Sequence, residues 1–140
     1  MLIQPYKPEY EKAVIKLWRK CNLVRPQNNP KKDIARKLKV KPELFLVGVE
    51  GNKVIATAMG GYEGHRGWVN YLGVDPEYRH KGAGRKMMEA IEEKLLAMGC
   101  PKINSQVLVD NTEATKFYQR IGYKKDEVIS MGKRLIEDKG

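Results

Sequence analysis

Residues 78–88 read YRHKGAGRKMM, and their flanks make this stretch the tightest constraint in the chain. Upstream, WVNYLGV (68–74) reads as a strand. Downstream, Met87, Met88, Ile91, Leu95 and Met98 recur at helical spacing. Gly82 and Gly84 therefore stand where a strand passes through a loop into a helix. The first N–H groups of a helix have no internal acceptor, and the aligned peptide dipoles make that end positive. Glycine at such a point removes the Cβ and lets an anion approach the main chain closely. Arg79, His80, Lys81 and Arg85 add side-chain donors around the same spot. The order strand, loop, glycines, helix is what a pyrophosphate needs. The same glycines would also serve a turn that packs a helix closely on a sheet, and RxxGxG alone does not decide between the two. Neither GxxxxGKS/T nor GxGxxG occurs, so a P-loop and a dinucleotide fingerprint are both set aside.

The chain has 140 residues, the size of one ordinary domain over residues 1–140. Its net charge is +10, from 27 basic and 17 acidic residues, which points to a polyanionic partner without naming it. The basic residues form no block of five or six, so much of the charge belongs to solvated surface. No apolar run is long enough to cross a membrane, and the first residues lack a secretory pattern. A cytoplasmic location without membrane association is the expectation. Cys21 and Cys100 have no metal-ligand spacing and read as small buried residues in a reducing compartment.

The remaining pattern is strand Met1–Tyr6, helix Pro8–Cys21, and a second helix from Pro30 to about Val40 capped by Asn29. Strands follow at Leu44–Glu50, Lys53–Tyr62 and Trp68–Val74, with Gly51-Asn52 as a type II′ hairpin turn. After the long helix come a strand over Lys102–Val109, a short helix in TEATKFYQRI, and one or two final strands in YKKDEVISMGKRLI. The class is α/β (α+β), with a central mixed sheet.

YLGVDPEYRHKGAGRKMMEAIEEKL resembles the acyl-CoA motif of the GNAT N-acetyltransferase superfamily, Q/R-x-x-G-x-G/A opening a helix after a strand. DNTEATKFYQRIGY matches the family's second signature, an asparagine near a helix start followed by FYxxxGY. The two motifs lie in the family's order and separation, and the element order agrees over nearly the whole chain. The resemblance implies a small single-domain bacterial-type member. It also implies a mostly antiparallel sheet of six or seven strands, about four helices, and two parallel strands that splay apart at the acyl-CoA site.

It implies acetyl-CoA as cosubstrate, no metal, and a primary amine of a small molecule or peptide as acceptor, attacked directly in a ternary complex. The pantetheine amides would pair with Leu72, Gly73 and Val74. The diphosphate would meet the main chain and side chains of Arg79, His80, Lys81, Gly82, Ala83, Gly84 and Arg85. Asn111 matches the asparagine that bonds the CoA arm, although a helix cap would explain it nearly as well. Tyr118 matches the tyrosine that protonates the departing thiolate, while Phe117 and Ile121 read as an apolar helix face.

The general base does not carry over. Gln106 stands where several family members have a glutamate, and Trp68–Val74 carries no carboxylate. Glu63, in the turn beside His65, is the substitute candidate, with a solvated turn carboxylate as its plain alternative. An α-amino group, of pKa about 7.7–8.0, would need far less help than a lysine-like amine near 10.4. Acceptor choice should lie in NLVRPQNNP, where Arg25 could fix a carboxylate, and in GGYEGHRG. Two other functions compete: a CoA-binding regulatory domain without catalysis, and a basic nucleic-acid-binding module. Nucleic acid is the weaker of these, because Trp18 sits on a helix's apolar face. The resemblance leaves room for a homodimer.

Overall fold

The chain runs β1 (Leu2–Pro5), α1 (Glu11–Lys20), α2 (Pro30–Lys37), β2 (Phe45–Glu50), β3 (Lys53–Tyr62), β4 (Gly67–Val74), α3 (Ala83–Ala97), β5 (Ile103–Ser105) and α4 (Thr112–Arg120). This computed structural model describes residues 1–138. They form two units, Met1–Ser105 with Asp138, and Gln106–Glu137.

In the first unit the sheet order is β1-β2-β3-β4-β5, antiparallel except for the last pair. The alternation along β2 shows how the layers form. Phe45 and Val47 face one cluster with Val14, Leu17 and Trp18 of α1 and Ile34 of α2. On the other face Met87, Met88, Ile91 and Leu95 of α3 are buried. A Cβ on Gly60 would meet Ile91 at 3.1 Å, which shows how closely α3 lies on the sheet. β3 sits between the two layers and is buried over Val54–Gly60, as a strand covered on both faces must be. Gly51 has φ +60 while Asn52 stays out of the left-handed region, which matches the expected II′ turn.

β4 carries the irregularity on which the rest turns. Thr57 pairs with Gly73 and Met59 with Asn70, so Tyr71 and Leu72 oppose Ala58 alone. This is a β-bulge, and Tyr71 sits in the left-handed region at φ 51. Its cost is met by interior bonding. Thr57, fully buried, donates its hydroxyl to the Tyr71 carbonyl at 2.9 Å and accepts from Trp18 Nε1 at 3.0 Å. The Trp18 ring stacks on Tyr71 with centroids 3.8 Å apart.

Two strand expectations need correction. Among the described residues the sheet has five strands, not six or seven. β5 ends at Ser105 rather than Val109, because beyond Val69 the bulge turns β4 away from a regular parallel edge. No strand occurs in 123–136 among the described residues. Its charged start, Lys124 to Glu127, and its scattered apolar residues find no ladder partner within Gln106–Glu137.

Thr57→Val should test the bulge support. It keeps the shape but leaves the Trp18 N–H and Tyr71 C=O unpaired, each costing about 1–3 kcal/mol when buried. Denaturant titration should show a loss of at least about 2 kcal/mol, and Thr57→Ser, which keeps the hydroxyl, should recover most of it.

Candidate active site

The β4–β5 ladder closes at Val69 and Ser105, while β4 continues to Val74. Beyond Val69, over Leu72, Gly73 and Val74, no strand among the described residues pairs with that edge of β4, although the Val74 carbonyl is taken by side chains. Main-chain groups on such an edge need partners, and an extended amide chain can supply them in strand fashion. Gly73 itself is fixed by packing, since a Cβ there would lie 3.1 Å from Leu23 and 3.2 Å from Cys21.

After β4 the chain turns through Asp75, whose carboxylate accepts from the Glu77 N–H at 3.0 Å and caps the short 3-10 turn Pro76–Tyr78. Asp75 is 2% exposed, with the Lys20 ammonium at 3.3 Å and that of Lys53 at 3.5 Å. Burial alone would raise its pKa. The Glu77 N–H, Lys20 and Lys53 outweigh burial and hold it below the ordinary aspartate value. Arg79 then donates Nε to the Val74 carbonyl at 3.0 Å, tying the loop back to the end of β4. The Cys21 thiol points to the same carbonyl at 3.4 Å, and burial raises its pKa.

His80 (φ 64) and Gly82 (φ 85) both lie in the left-handed region. Alternating left-handed residues before a helix turn successive N–H groups into a concave, anion-binding surface. Gly82 is the N-cap of α3 and provides no side-chain cap. Among the described residues, the N–H groups of Gly82, Ala83, Gly84 and Arg85 donate to no main-chain acceptor. The donors that the sequence placed here are thus open, and Lys81 and Arg85 are exposed beside them. Lys81 and Lys53 lie over the Tyr78 ring, at 5.7 and 5.2 Å from its centroid.

Beside β4, α2 and the bulge border an open, shallow cleft of about 530 Å³ whose polar walls are Asn28, Asp33, Arg36, Lys37, Asn70 and Tyr71. The Tyr71 hydroxyl donates to Asp33 Oδ2. Burial, and then the Asp33 carboxylate, drive the phenol pKa far up. Lys37 donates to the Gly60 carbonyl, and burial pulls its pKa down. Asn28 lies in NLVRPQNNP, where acceptor choice is expected, while the others read only as part of a helix or strand. The available signal was the spacing of Asp33, Arg36 and Lys37, which places all three on one face of α2.

Glu63 is exposed in the β3–β4 turn. Its Oε1 accepts from the N–H of His65 at 2.5 Å and of Arg66 at 2.6 Å. The bonds from Arg66 and His65 hold its pKa below the usual glutamate value, which makes it a weaker base than a free glutamate. Arg25 is exposed in the α1–α2 connection and is not a wall of the cleft.

The second unit contains the other two candidates. Asn111 caps α4, accepting from the Ala114 N–H at 3.1 Å through Oδ1. Tyr118 lies within α4, its ring edge-on to Phe117 at 5.3 Å and tilted against Tyr123 at 5.2 Å. Gln106 bonds the Ser130 hydroxyl. No helix among the described residues is long and apolar enough to cross a membrane.

Residues 11–123 match the sequence family described as Acetyltransferase (GNAT) family. The fold is similar to that of the aminoglycoside antibiotic 6′-N-acetyltransferase AAC(6′)-IG from Acinetobacter haemolyticus. The TM-score is 0.78 at 16% identity, over 97% of this chain and 100% of that one. It is also similar to AAC(6′)-Iy in complex with the bisubstrate analogue CoA-S-monomethyl-acetylneamine, at TM-score 0.78 and 17% identity over 95% and 97% of the two chains. A third likeness is Chaetomium thermophilum Naa20 in complex with a bisubstrate analogue. Its TM-score is 0.71 at 23% identity, over 89% of this chain and 71% of that one.

Asp75 gives this region a pH signature. The unfolded chain takes up the Asp75 proton near pH 3.9, the folded chain only below that. Its contribution to stability is therefore complete above about pH 4 and drains as pH falls through the folded value. Asp75→Asn should lower stability at neutral pH and flatten the acid limb of the stability–pH curve, read by denaturant midpoints from pH 7 to pH 3.

Proposed function

The chain belongs to the GNAT acetyltransferase family, and on that premise we propose that it moves an acetyl group from acetyl-CoA to a primary amine of a small molecule or peptide. The observation that carries this reading is the start of α3. Four consecutive N–H groups lie open there, behind a glycine cap and among exposed cations. A diphosphate satisfies those donors and meets the positive end of the helix dipole, each such contact being worth about 0.3–1 kcal/mol. The residues that would hold it are Arg79 to Arg85. The edge of β4 at Leu72, Gly73 and Val74 would take the pantetheine amides.

The chemistry asked of the protein is small. The amine lone pair attacks the thioester carbonyl, the carbon–sulfur bond breaks, and the amine sheds a proton. Tyr118 gives its phenolic proton to the departing thiolate. A phenol of pKa about 10 and a thiol near 8.5 are close enough for that transfer. Asn111 spends its Oδ1 on the α4 cap, which leaves its amide N–H groups as the donors it could offer the CoA arm.

Glu63, with its lowered pKa, can act as a base only weakly, through water. That favours an acceptor already largely neutral near pH 7–8, such as an α-amino group of pKa about 7.7–8.0. In this reading acetyl transfer occurs in one ternary complex, without an acyl-enzyme. A cytoplasmic setting, a single functional domain and a homodimer accord with it.

Thiol release from acetyl-CoA with a panel of amines tests the assignment. Release is expected, with α-amines preferred over ε-amines at pH 7, and kcat/KM rising with pH to a plateau above about pH 8. Tyr118→Phe should lower kcat by about 10²–10⁴ and leave CoA affinity intact. Gly82→Ala, which forces a left-handed alanine at a cost of roughly 1–2 kcal/mol, should weaken thermal stabilisation by CoA. An oligonucleotide that stabilises the protein while CoA does not would reverse the reading in favour of nucleic-acid binding. CoA binding without release from any amine would favour the regulatory domain.

A further inference from the structure

The cleft between α2 and β4 has an electrostatic imbalance. Lys37 is only partly exposed, and its ammonium donates to the Gly60 carbonyl. No carboxylate lies within ion-pair distance of it among the described residues. Taking a cation out of water without a counter-charge is costly, and burial lowers the Lys37 pKa accordingly. One turn back on the same face, Asp33 is engaged by the Tyr71 hydroxyl. Arg36 forms another part of the wall. It grips Asp138 with both arms of its guanidinium, Nη1 to Oδ2 at 2.5 Å and Nη2 to Oδ1 at 2.9 Å. That is the fork geometry by which arginine takes a carboxylate. Asp138 is 2% exposed, so this carboxylate is seated rather than loosely attracted. Arg36 also reaches Asp33 at 3.8 Å, so the cleft walls carry two cations against one shared acid, and Asp138 supplies the second acid.

We propose that this cleft selects amine acceptors that carry a carboxylate, read by Lys37 and Arg36, and that Asp138 holds the Arg36 fork until such an acceptor arrives. The inference rests on the acetyltransferase reading for its amine, and on the cleft alone for its carboxylate. It places carboxylate recognition at Arg36 and Lys37 instead of Arg25, which is outside the cleft. The acceptor class is a short peptide with a carboxylate near its N-terminal amine. An incoming carboxylate would give Lys37 an ion-pair partner closer than Glu43, whose charge reaches it only from a distance, and would compete with Asp138 for Arg36.

Acceptor pairs that have or lack their one carboxylate at nearly constant amine basicity provide the test: glycyl-glycine against glycyl-glycinamide, and alanyl-glycine against alanyl-glycinamide. The acidic member of a pair should have a KM at least about tenfold lower, with kcat little changed. Lys37→Gln and Arg36→Gln should each pull the two KM values together. Asp138→Asn should widen the gap by removing the competitor. If Arg36–Asp138 is only a structural clamp, Asp138→Asn will lower the melting temperature and leave the KM ratio where it was, which overturns the placeholder role. Equal KM values in the wild type, or a ratio that Lys37→Gln and Arg36→Gln do not alter, overturn the whole inference.

Calorimetric titration of glutarate separates this outcome from failure of the transferase reading. Glutarate should bind the wild type weakly, Asp138→Asn more tightly, and Lys37→Gln and Arg36→Gln less. No glutarate binding to any form sinks the carboxylate site even if thiol is released. Glutarate binding without thiol release from any amine leaves the site standing and removes the transferase reading instead.

Discussion

One buried hydroxyl fixes the place where the sheet changes character. Thr57 joins the indole of Trp18 to the carbonyl of Tyr71, and all three lie under α1 on one face of the sheet. Without that bridge a non-glycine residue at φ 51 would have little to hold it. With it, β4 gains one residue relative to β3, and the strand bends. Two consequences follow from the bend. The β4–β5 ladder stops after three pairs, leaving the Leu72–Val74 edge without a strand partner among the described residues. The Tyr71 side chain is turned to Asp33 across the cleft. The open edge and the cleft, to which the proposed reading assigns the pantetheine and the acceptor, are thus produced by the same backbone irregularity. Neither could be shifted along β4 without the other.

The helices report a second constraint through their caps. Asn29 caps α2 by accepting from Lys32, and Asn111 caps α4 by accepting from Ala114. Both are ordinary solutions to the open donors of a helix start. α3 is the longest helix, and its cap, Gly82, brings no side chain. Chemically this is the least economical place to omit one, because the loop before it also holds His80 in the left-handed region. The omission makes sense if an external anion satisfies the donors. Asp75, Arg79 and the Val74 carbonyl then act as the frame that keeps the loop in position while its N–H groups remain available.

Much of this was legible from residues alone, and the reasons are local. The α3 start was readable because glycine, proline and apolar spacing act within a few residues of one another. The Asn29 and Asn111 caps were readable for the same reason. The Gly51-Asn52 turn followed from the sign of one dihedral. What could not be read depends on distant partners. The Tyr71 bulge needs Trp18 and Thr57, which are 53 and 14 residues away; nothing in WVNYLGV announces it. The cleft needs α2 to meet β4, and the Arg36–Asp138 pair spans 102 residues. The expected strand over Lys102–Val109 had the right composition throughout. Its second half failed because β4 no longer offers a parallel edge there, which is a property of the partner and not of the segment. The two final strands failed for a similar reason, since apolar residues in 123–136 do not make a strand without a ladder to join.

The net charge of +10 becomes informative once it is located. From Arg79 to Lys86 there are four lysines and arginines and no acid, and from Lys31 to Lys41 there are six against Asp33 alone. The rest of the chain nearly cancels. Charges farther apart than about 10 Å are largely screened at ordinary ionic strength, so a general excess would do little for binding, while two local excesses do a great deal. A nucleic acid would call for one continuous basic face. What the chain has instead is one excess at a helix start shaped for a compact anion, and one around a helix that walls a cleft. A cation excess of that second kind, beside a half-buried lysine with no carboxylate within ion-pair distance among the described residues, is hard to reconcile with a polycationic acceptor. In the proposed reading it would repel such a ligand before contact, and so that reading weighs against polyamines and aminoglycosides, although solved structures of similar fold include an aminoglycoside acetyltransferase.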